Sequence, residues 1–415
     1  MLRIKPFRAL RPPAAIAPEV ACVPYDVINT AEARALAEGK PRSFLHVIRP
    51  ELGLPDSTNP YSDAVYGAAK ANFARFQREG TLARAPRESV YLYRQEMTLL
   101  GKRVSQTGVV ACCHIDDYAA DIIKKHEKTR PDKEDDRTRH VIELNANAEP
   151  VFFLFNDRPE IAALIAADSA PPALYDFTAP DGVRHTVWEC PDAAPYVRAF
   201  SQLPAAYVAD GHHRTAAAAR AGAERRAANP KHTGNEGYNW FMAVLFPASQ
   251  LTILPYHRMV KDLNGQSVAR VLERLAGVGA VTKTADPNPG VRGSFCVYLG
   301  KDAGWHRVTL PAASIPMRDP IASLDYEMLA SRVLTPIFGV GDLRTDKRID
   351  FVGGIRGPAE LERRVDNGEM AAAFCMHPVQ IDQLTAIADA GAIMPPKSTW
   401  FEPKLRSGLL VNTLE

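Results

Sequence analysis

The sequence predicts a mixed α/β protein with more than one domain. Three observations carry this. A chain of 415 residues exceeds what one hydrophobic core usually organises. Short apolar runs of strand character alternate with stretches whose apolar residues recur at helical spacing. At residues 205–219 an apolar run ends at Asp210, Gly211 makes the corner, and an alanine-rich helix begins with His212, His213 and Arg214.

The elements follow in order. Residues 1–104 form a first mixed α/β segment. Thr30 and Glu32 start a helix that Gly39 and Pro41 end. Residues 43–48 alternate as a strand does. Val65, Ala69, Phe73 and Phe76 mark an amphipathic helix over residues 61–78, closed by Gly80. Residues 89–94 and 106–114 read as strands. In the charged stretch 121–147, Pro131 suits the first position of a helix, and Asp132, Glu134 and Asp135 suit its first turn. Residues 126–130 then approach that helix, either as a solvated charged face or as a loop presenting Glu127 as a base and Lys128 or Arg130 to a phosphate. A buried strand is expected at 150–155, a helix at 159–167 and a turn-rich linker at 171–182. After the alanine-rich helix, a polar loop leads to a strand at 240–246, which together with the strand before Gly211 makes a βαβ-like unit. Residues 251–415 form a further α/β segment. Its helices are expected at 266–275, 326–333, 360–365 and 381–390, its strands at 295–299, 305–310 and 371–376, and turns over 341–357. Prolines 395, 396 and 403 make its end an extended tail laid over the protein.

Composition excludes several classes. With 46% hydrophobic and 24% charged residues this is ordinary globular usage. Fifty basic against 48 acidic residues give +2, too little to draw the whole chain to nucleic acid or a membrane surface. No apolar run reaches the length of about 18 residues needed to span a bilayer. The basic N-terminus is broken by Pro6, Pro12 and Pro13, so it reads as mature structure and not as a leader. Six cysteines without paired spacing fit a reduced, cytoplasmic compartment.

Several motif matches fail on their chemistry. His126-Glu127 opens like a helical zinc-protease motif, but Arg130 stands where the second histidine belongs. Cys112, Cys113 and His114 alternate faces on a strand, which suits buried side chains better than a tetrahedral metal. Residues 391–398 nearly spell a P-loop, but Pro396 has no N–H to offer a phosphate. Lys397, Lys404 and Arg406 remain candidate anion ligands there, beside the plainer reading of a tail pinned by Trp400 and Phe401.

The stretch Asp210-Gly211-His212-His213-Arg214-Thr215 withstands the same scrutiny. The first helical amides lack partners, the helix dipole favours negative charge, and Gly211 admits close backbone approach. Asp210 as a simple N-cap is the plain alternative, yet it leaves the two histidines and the arginine without a reason.

These residues resemble the phosphate-binding box of the ParB/sulfiredoxin superfamily, and within it the box of the free L-serine kinases. The chain as a whole is similar to domain-of-unknown-function family 1015. That likeness runs through Val23-Pro24-Tyr25-Asp26-Val27, Lys125-His126-Glu127-Lys128-Thr129, the box itself, Arg344-Thr345-Asp346-Lys347-Arg348 and residues 395–408.

The resemblance implies a ParB/sulfiredoxin-like central domain, residues 105–250, with mixed α/β segments 1–104 and 251–415 packed on it. It implies a kinase using ATP or ADP with Mg²⁺ to phosphorylate a small hydroxylated metabolite, L-serine first, the alternative being a nucleotide- or phosphometabolite-binding regulator without turnover. Asp210 (through Mg²⁺) and His213 inherit catalytic roles, with Glu127 as candidate base. Gly211, His212, Arg214, Thr215 and Lys128 would hold the nucleotide phosphates. Trp240 would shape the acceptor pocket; apart from the resemblance, the charge of the tail residues Lys397 and Arg406 makes them candidates to clamp the acceptor's carboxylate. Partners are then small molecules, with neither membrane nor nucleic acid, and a homodimer is compatible with this reading.

Overall fold

The computed structural model describes every residue except Arg344 and Pro396. The fold is mixed α/β, in two units: Met1–Leu251 with Pro403–Glu415, and Thr252–Glu402.

The first unit is built on a nine-stranded sheet. Its strands are β1 (Ile4–Lys5), β2 (Val90–Leu99), β3 (Lys102–His114), β4 (Ile123–Lys124), β5 (Val151–Phe155), β6 (Tyr175–Thr178), β7 (Arg184–Cys190), β8 (Ala206–Asp210) and β9 (Trp240–Pro247). They lie in the order β4-β8-β5-β9-β3-β2-β7-β6, with β1 beside the end of β3. Every residue of β5 is buried, as are all but the end residue of β8 and all but the first of β9. That is why these strands read as unbroken apolar runs and not as alternation. Phe153, Phe155, Val208 and Leu245 share a core with Ile161, Ile165, Tyr196 and Phe200.

The longer helices of this unit are α1 (Thr30–Ala37), α2 (Asp63–Arg78), α3 (Pro131–Leu144), α4 (Pro159–Asp168), α5 (Ala194–Phe200) and α6 (His212–Ala228). Helix α1 begins with a capping box between Asn29 and Glu32. Pro131 and Pro159 open α3 and α4 as expected. The small residues of α6 face inward, and a Cβ on Gly222 would stand 2.3 Å from the Tyr238 carbonyl oxygen. Close approach explains the alanine run.

Five expectations change. Residues 43–48 contain a helical turn (Leu45–Ile48), because Phe44, Leu45, Val47 and Ile48 are all buried and no strand is there to pair with. The linker 171–182 includes β6, which pairs with β7, and the turn-rich stretch 341–357 contains a strand, Ile349–Gly353. Strands β8 and β9 flank β5, the first antiparallel and the second parallel to it, so they run opposite to each other and form no βαβ crossover. Finally, β2 and β3 are one hairpin turned by Leu100 and Gly101, both at positive φ (47° and 78°). That hairpin spans the expected 104/105 boundary and places both segments in one sheet.

Residues 403–415 belong to this first unit as well. They bridge Cys22 through Ser407 and Leu10 through Val411, and Asn412–Thr413 pairs with Ala146–Asn147.

The second unit holds an antiparallel six-stranded sheet of β10 (Tyr256–Val260), β11 (Ala280–Thr284), β12 (Ser294–Tyr298), β13 (Trp305–Thr309), β14 (Ile349–Gly353) and β15 (Ala372–Met376), in the order β11-β13-β12-β15-β10-β14. Helices α7 (Val268–Ala276), α8 (Gly357–Asp366) and α9 (Ile381–Asp389) belong to it, as do the consecutive helical segments Asp325–Leu329, Ala330–Leu334 and Thr335–Phe338, which cover the helix expected at 326–333; Leu361 and Val365 of α8 share a core with Met259, Cys296 and Val352. Arg344 of the Arg344–Arg348 stretch and Pro396 of the near P-loop lie outside the described residues. Among the described residues no helix is long and apolar enough to cross a membrane.

Candidate functional site

Strand β8 leaves the sheet through an irregularity between Val208 and Asp210, and Gly211 turns the chain at φ 86°, ψ 37°. That left-handed corner is why glycine stands there. The first internal bond of α6 runs from Thr215 N to the Gly211 carbonyl, 2.9 Å, and the Thr215 hydroxyl donates to the same oxygen at 3.0 Å. The amides of His212, His213 and Arg214 precede that bond and point out of the helix end. Gly211 is the N-cap and brings no side-chain cap, so Asp210 is not spent on capping.

Asp210 is instead held between two cations. Its Oδ1 accepts from Lys404 Nζ at 2.9 Å and its Oδ2 from Arg214 Nη2 at 2.9 Å. Burial opposes ionisation of this carboxyl, but Lys404 and Arg214 outweigh it and hold the group well below the usual carboxylate range. Arg214 is itself buried; its Nη1 donates to the Pro150 carbonyl at 2.6 Å, and Asp26 lies 3.7 Å from its Nη2. Behind it Glu149 is buried and its pKa is raised by that burial, against the pull of Arg214 and Arg137. A cavity of about 20 Å³ lined by Arg137, His140, Glu149, Arg214, Phe241 and Met242 has room for a water but not for a ligand. This side of Arg214 is support.

The other side carries the histidines. His126 and His212 meet edge to face, centroids 4.6 Å apart, and both are buried. Both nitrogens of His126 and Nε2 of His212 have no hydrogen-bond partner among the described residues. Burial pushes the His126 pKa down to about 4; burial and then the neighbouring His126 push that of His212 well below its ordinary value. Both rings are therefore neutral at pH 7. Glu127 Oε2 stands 3.6 Å from His212 Nδ1, with its side chain 46% exposed. His213 Nε2 accepts from the Arg130 amide at 3.0 Å, which leaves the proton on Nδ1.

The structure thus brings Glu127, Asp210, Gly211, His212, His213, Arg214 and Thr215 to one helix end. Lys128 is exposed on the adjoining loop. Trp240 is elsewhere on the sheet. Asp210 is level with Phe152, and Phe152 with Val244, so Trp240 lies two strands across and four residues along, about 16 Å away by strand geometry. Its ring packs on His114 at 4.6 Å, with Lys5 Nζ 5.0 Å from its centroid. Arg406 is buried, ion-paired to Asp181 and 3.3 Å from His185 Nε2. Lys397 belongs to the second unit, where its ammonium is 5.5 Å from the Tyr256 ring. Two residues that sequence reasoning did not assign take part, Asp26 and His126; Lys404, a candidate anion ligand of the tail, pairs with Asp210. Asp26 and His126 stand inside stretches that carry the family likeness, which is the signal that could have found them.

The fit of a divalent cation can be judged from Asp210. Each of its oxygens already accepts from a side-chain cation, and the described residues contain no group of three or more histidine, cysteine or acidic side chains placed to hold a metal. The residues present do not fit a protein-held Mg²⁺.

The chain belongs to the family described as "Protein of unknown function (DUF1015)", whose model matches residues 4–327. Among solved structures, free serine kinase in complex with AMP is similar at 12% identity and TM-score 0.34, covering 73% of this chain and 92% of that one. SbnI from Staphylococcus aureus, truncated at its C-terminus, is similar at 11% identity and TM-score 0.37, covering 73% and 87%. A conserved hypothetical protein from Pyrococcus furiosus is similar at 14% identity and TM-score 0.33, covering 73% and 95%. No curated protein matches the chain.

Proposed function

We propose that this member of the family binds nucleotide phosphate at the start of α6 and transfers a phosphoryl group to the hydroxyl of a small metabolite, free L-serine being the first acceptor to test. One observation supports this most: outward-pointing amides, a buried histidine nitrogen without a partner among the described residues and two side-chain cations meet at one helix end. Such an end favours an anion. The Asp-Gly-His-His-Arg likeness to free serine kinases directs the choice among anions.

Phosphoryl transfer asks for positioning and charge compensation more than for covalent chemistry. In this reading the amides of His212–Arg214 hold phosphate oxygens, and Lys404 and Arg214 offset the charge. The bond from the acceptor oxygen to phosphorus forms as the bond to the leaving nucleotide oxygen breaks. The hydroxyl proton passes to Glu127, whose carboxylate is exposed beside His212. His213 is the weaker base, because its Nε2 already accepts from Arg130. Arg406 is left to anchoring the tail, since Asp181 and His185 engage it, and Trp240 to packing on His114.

The second reading is binding without turnover, favoured by an Asp210 whose two oxygens are both engaged. The test is incubation of the full chain with ATP or ADP, magnesium and a panel of amino acids and hydroxy acids, followed by ³¹P NMR. A new phosphomonoester that disappears in Glu127→Gln supports transfer. Saturable nucleotide binding with no product from any acceptor supports the regulator.

A further inference from the structure

We propose that Lys404 and Arg214 supply the positive charge that a divalent cation supplies in most nucleotide sites, so that phosphate binding to this chain needs no metal ion. The inference rests on the nucleotide-phosphate reading and starts from the misfit of a divalent cation at Asp210. A carboxylate beside bound phosphate is repulsive unless a cation stands between them. Here that cation is part of the chain. Lys404 Nζ reaches Asp210 Oδ1 at 2.9 Å from 194 residues further on, and the Lys404 side chain is only 14% exposed.

The tail that carries Lys404 is anchored at several points. Gln95 Nε2 donates to the Lys404 carbonyl at 2.8 Å, and Gln106 Nε2 donates to Gln95 at 3.0 Å and toward the Pro403 carbonyl at 3.4 Å. Both glutamines are buried in the sheet. On the other side the Arg406 amide donates to the Tyr93 hydroxyl at 3.2 Å, and Arg406 itself pairs with Asp181. Buried amides committed to tail carbonyls make this segment a fixed part of the site. Arg214 is equally constrained by Pro150 and Asp210. Two cations held in place before the ligand arrives need no reorganisation when it binds. Lys404 is a compact point charge, suited to that task.

The test is calorimetric titration of the full chain with ADP and with inorganic pyrophosphate, in EDTA and in magnesium, for wild type, Lys404→Met and Lys404→Arg. Wild type is expected to bind ADP in EDTA within about threefold of its affinity in magnesium. Lys404→Met should weaken binding in EDTA roughly tenfold or more, as loss of a buried charge partner does, while Lys404→Arg keeps most of the affinity. Magnesium should restore part of what Lys404→Met loses. Wild type that binds only with magnesium overturns the inference and leaves the nucleotide reading standing, and so does Lys404→Met binding like wild type in EDTA. Absence of ADP and pyrophosphate binding in both buffers removes the nucleotide reading itself. The EDTA arm on wild type needs no variant, so it stands however Lys404→Met folds.

Discussion

Replacing His126 by glutamine should flatten the acid side of the stability profile of the first unit. The imidazole is buried beside His212, its nitrogens have no partner among the described residues, and burial lowers its pKa from 6.5 to about 4. The sign follows from proton counting. Between those two values the unfolded chain binds a proton at this position and the folded one does not, so stability falls as pH drops through the window. From pH 7 to pH 5 the difference comes to about 2 kcal/mol for this one group, because each pH unit spent inside the window costs about 1.4 kcal/mol. His140 and His185, both pushed down to about 3 by burial, contribute in the same direction and remain in the variant. Urea unfolding of wild type and His126→Gln at pH 7 and pH 5, followed by the fluorescence of Trp188 and Trp240, measures the difference directly. The variant should lose about 2 kcal/mol less than wild type on acidification. Equal losses in both proteins would refute the buried, neutral assignment of His126.

Other outcomes can be checked alongside. Arg214→Met strips Asp210 and the Pro150 carbonyl of one partner each and should cost about 3 kcal/mol, seen in denaturant midpoints, with Lys404 limiting the loss. Gly222→Ala should destabilise by about 1–3 kcal/mol in spite of better helix propensity, because its Cβ would meet the Tyr238 carbonyl at 2.3 Å. Gly67→Ala in α2, where a Cβ meets nothing within 4 Å, should stabilise by about 0.5–1 kcal/mol, and the two Tm shifts should have opposite signs. Glu127→Gln should lower kcat by roughly a hundredfold while leaving the ADP dissociation constant unchanged, a split that steady-state kinetics and calorimetry resolve.

The local parts of this fold were legible. Proline at the first position and acids in the first turn announce α3, and the apolar run ending at Asp210 before one glycine announces the β8–α6 corner. Elements whose signal depends on distant partners were not. The β2–β3 turn begins with Leu100 at positive φ, a residue that no turn preference selects. Leu45–Ile48 has the composition of a strand and takes a helical turn because Phe44, Leu45, Val47 and Ile48 all find burial there. The same holds for the site. The box is contiguous, so its helix-end geometry could be read from spacing, but the pairing of Lys404 with Asp210 joins residues 194 apart. Nor does any local pattern show that Arg406, two residues after Lys404, is claimed by Asp181 and His185.

The functional reading stands or falls on whether the open amides at the start of α6 receive phosphate. Backbone amide resonances of the full chain, followed by ¹H–¹⁵N TROSY NMR during titration with ADP, AMP and adenosine, answer this at the residues themselves. Saturable shifts of His212, His213 and Arg214 are expected with ADP and AMP, and none of comparable size at those amides with adenosine. Saturable ADP binding that leaves those three amides unmoved would place the phosphate elsewhere and overturn the reading.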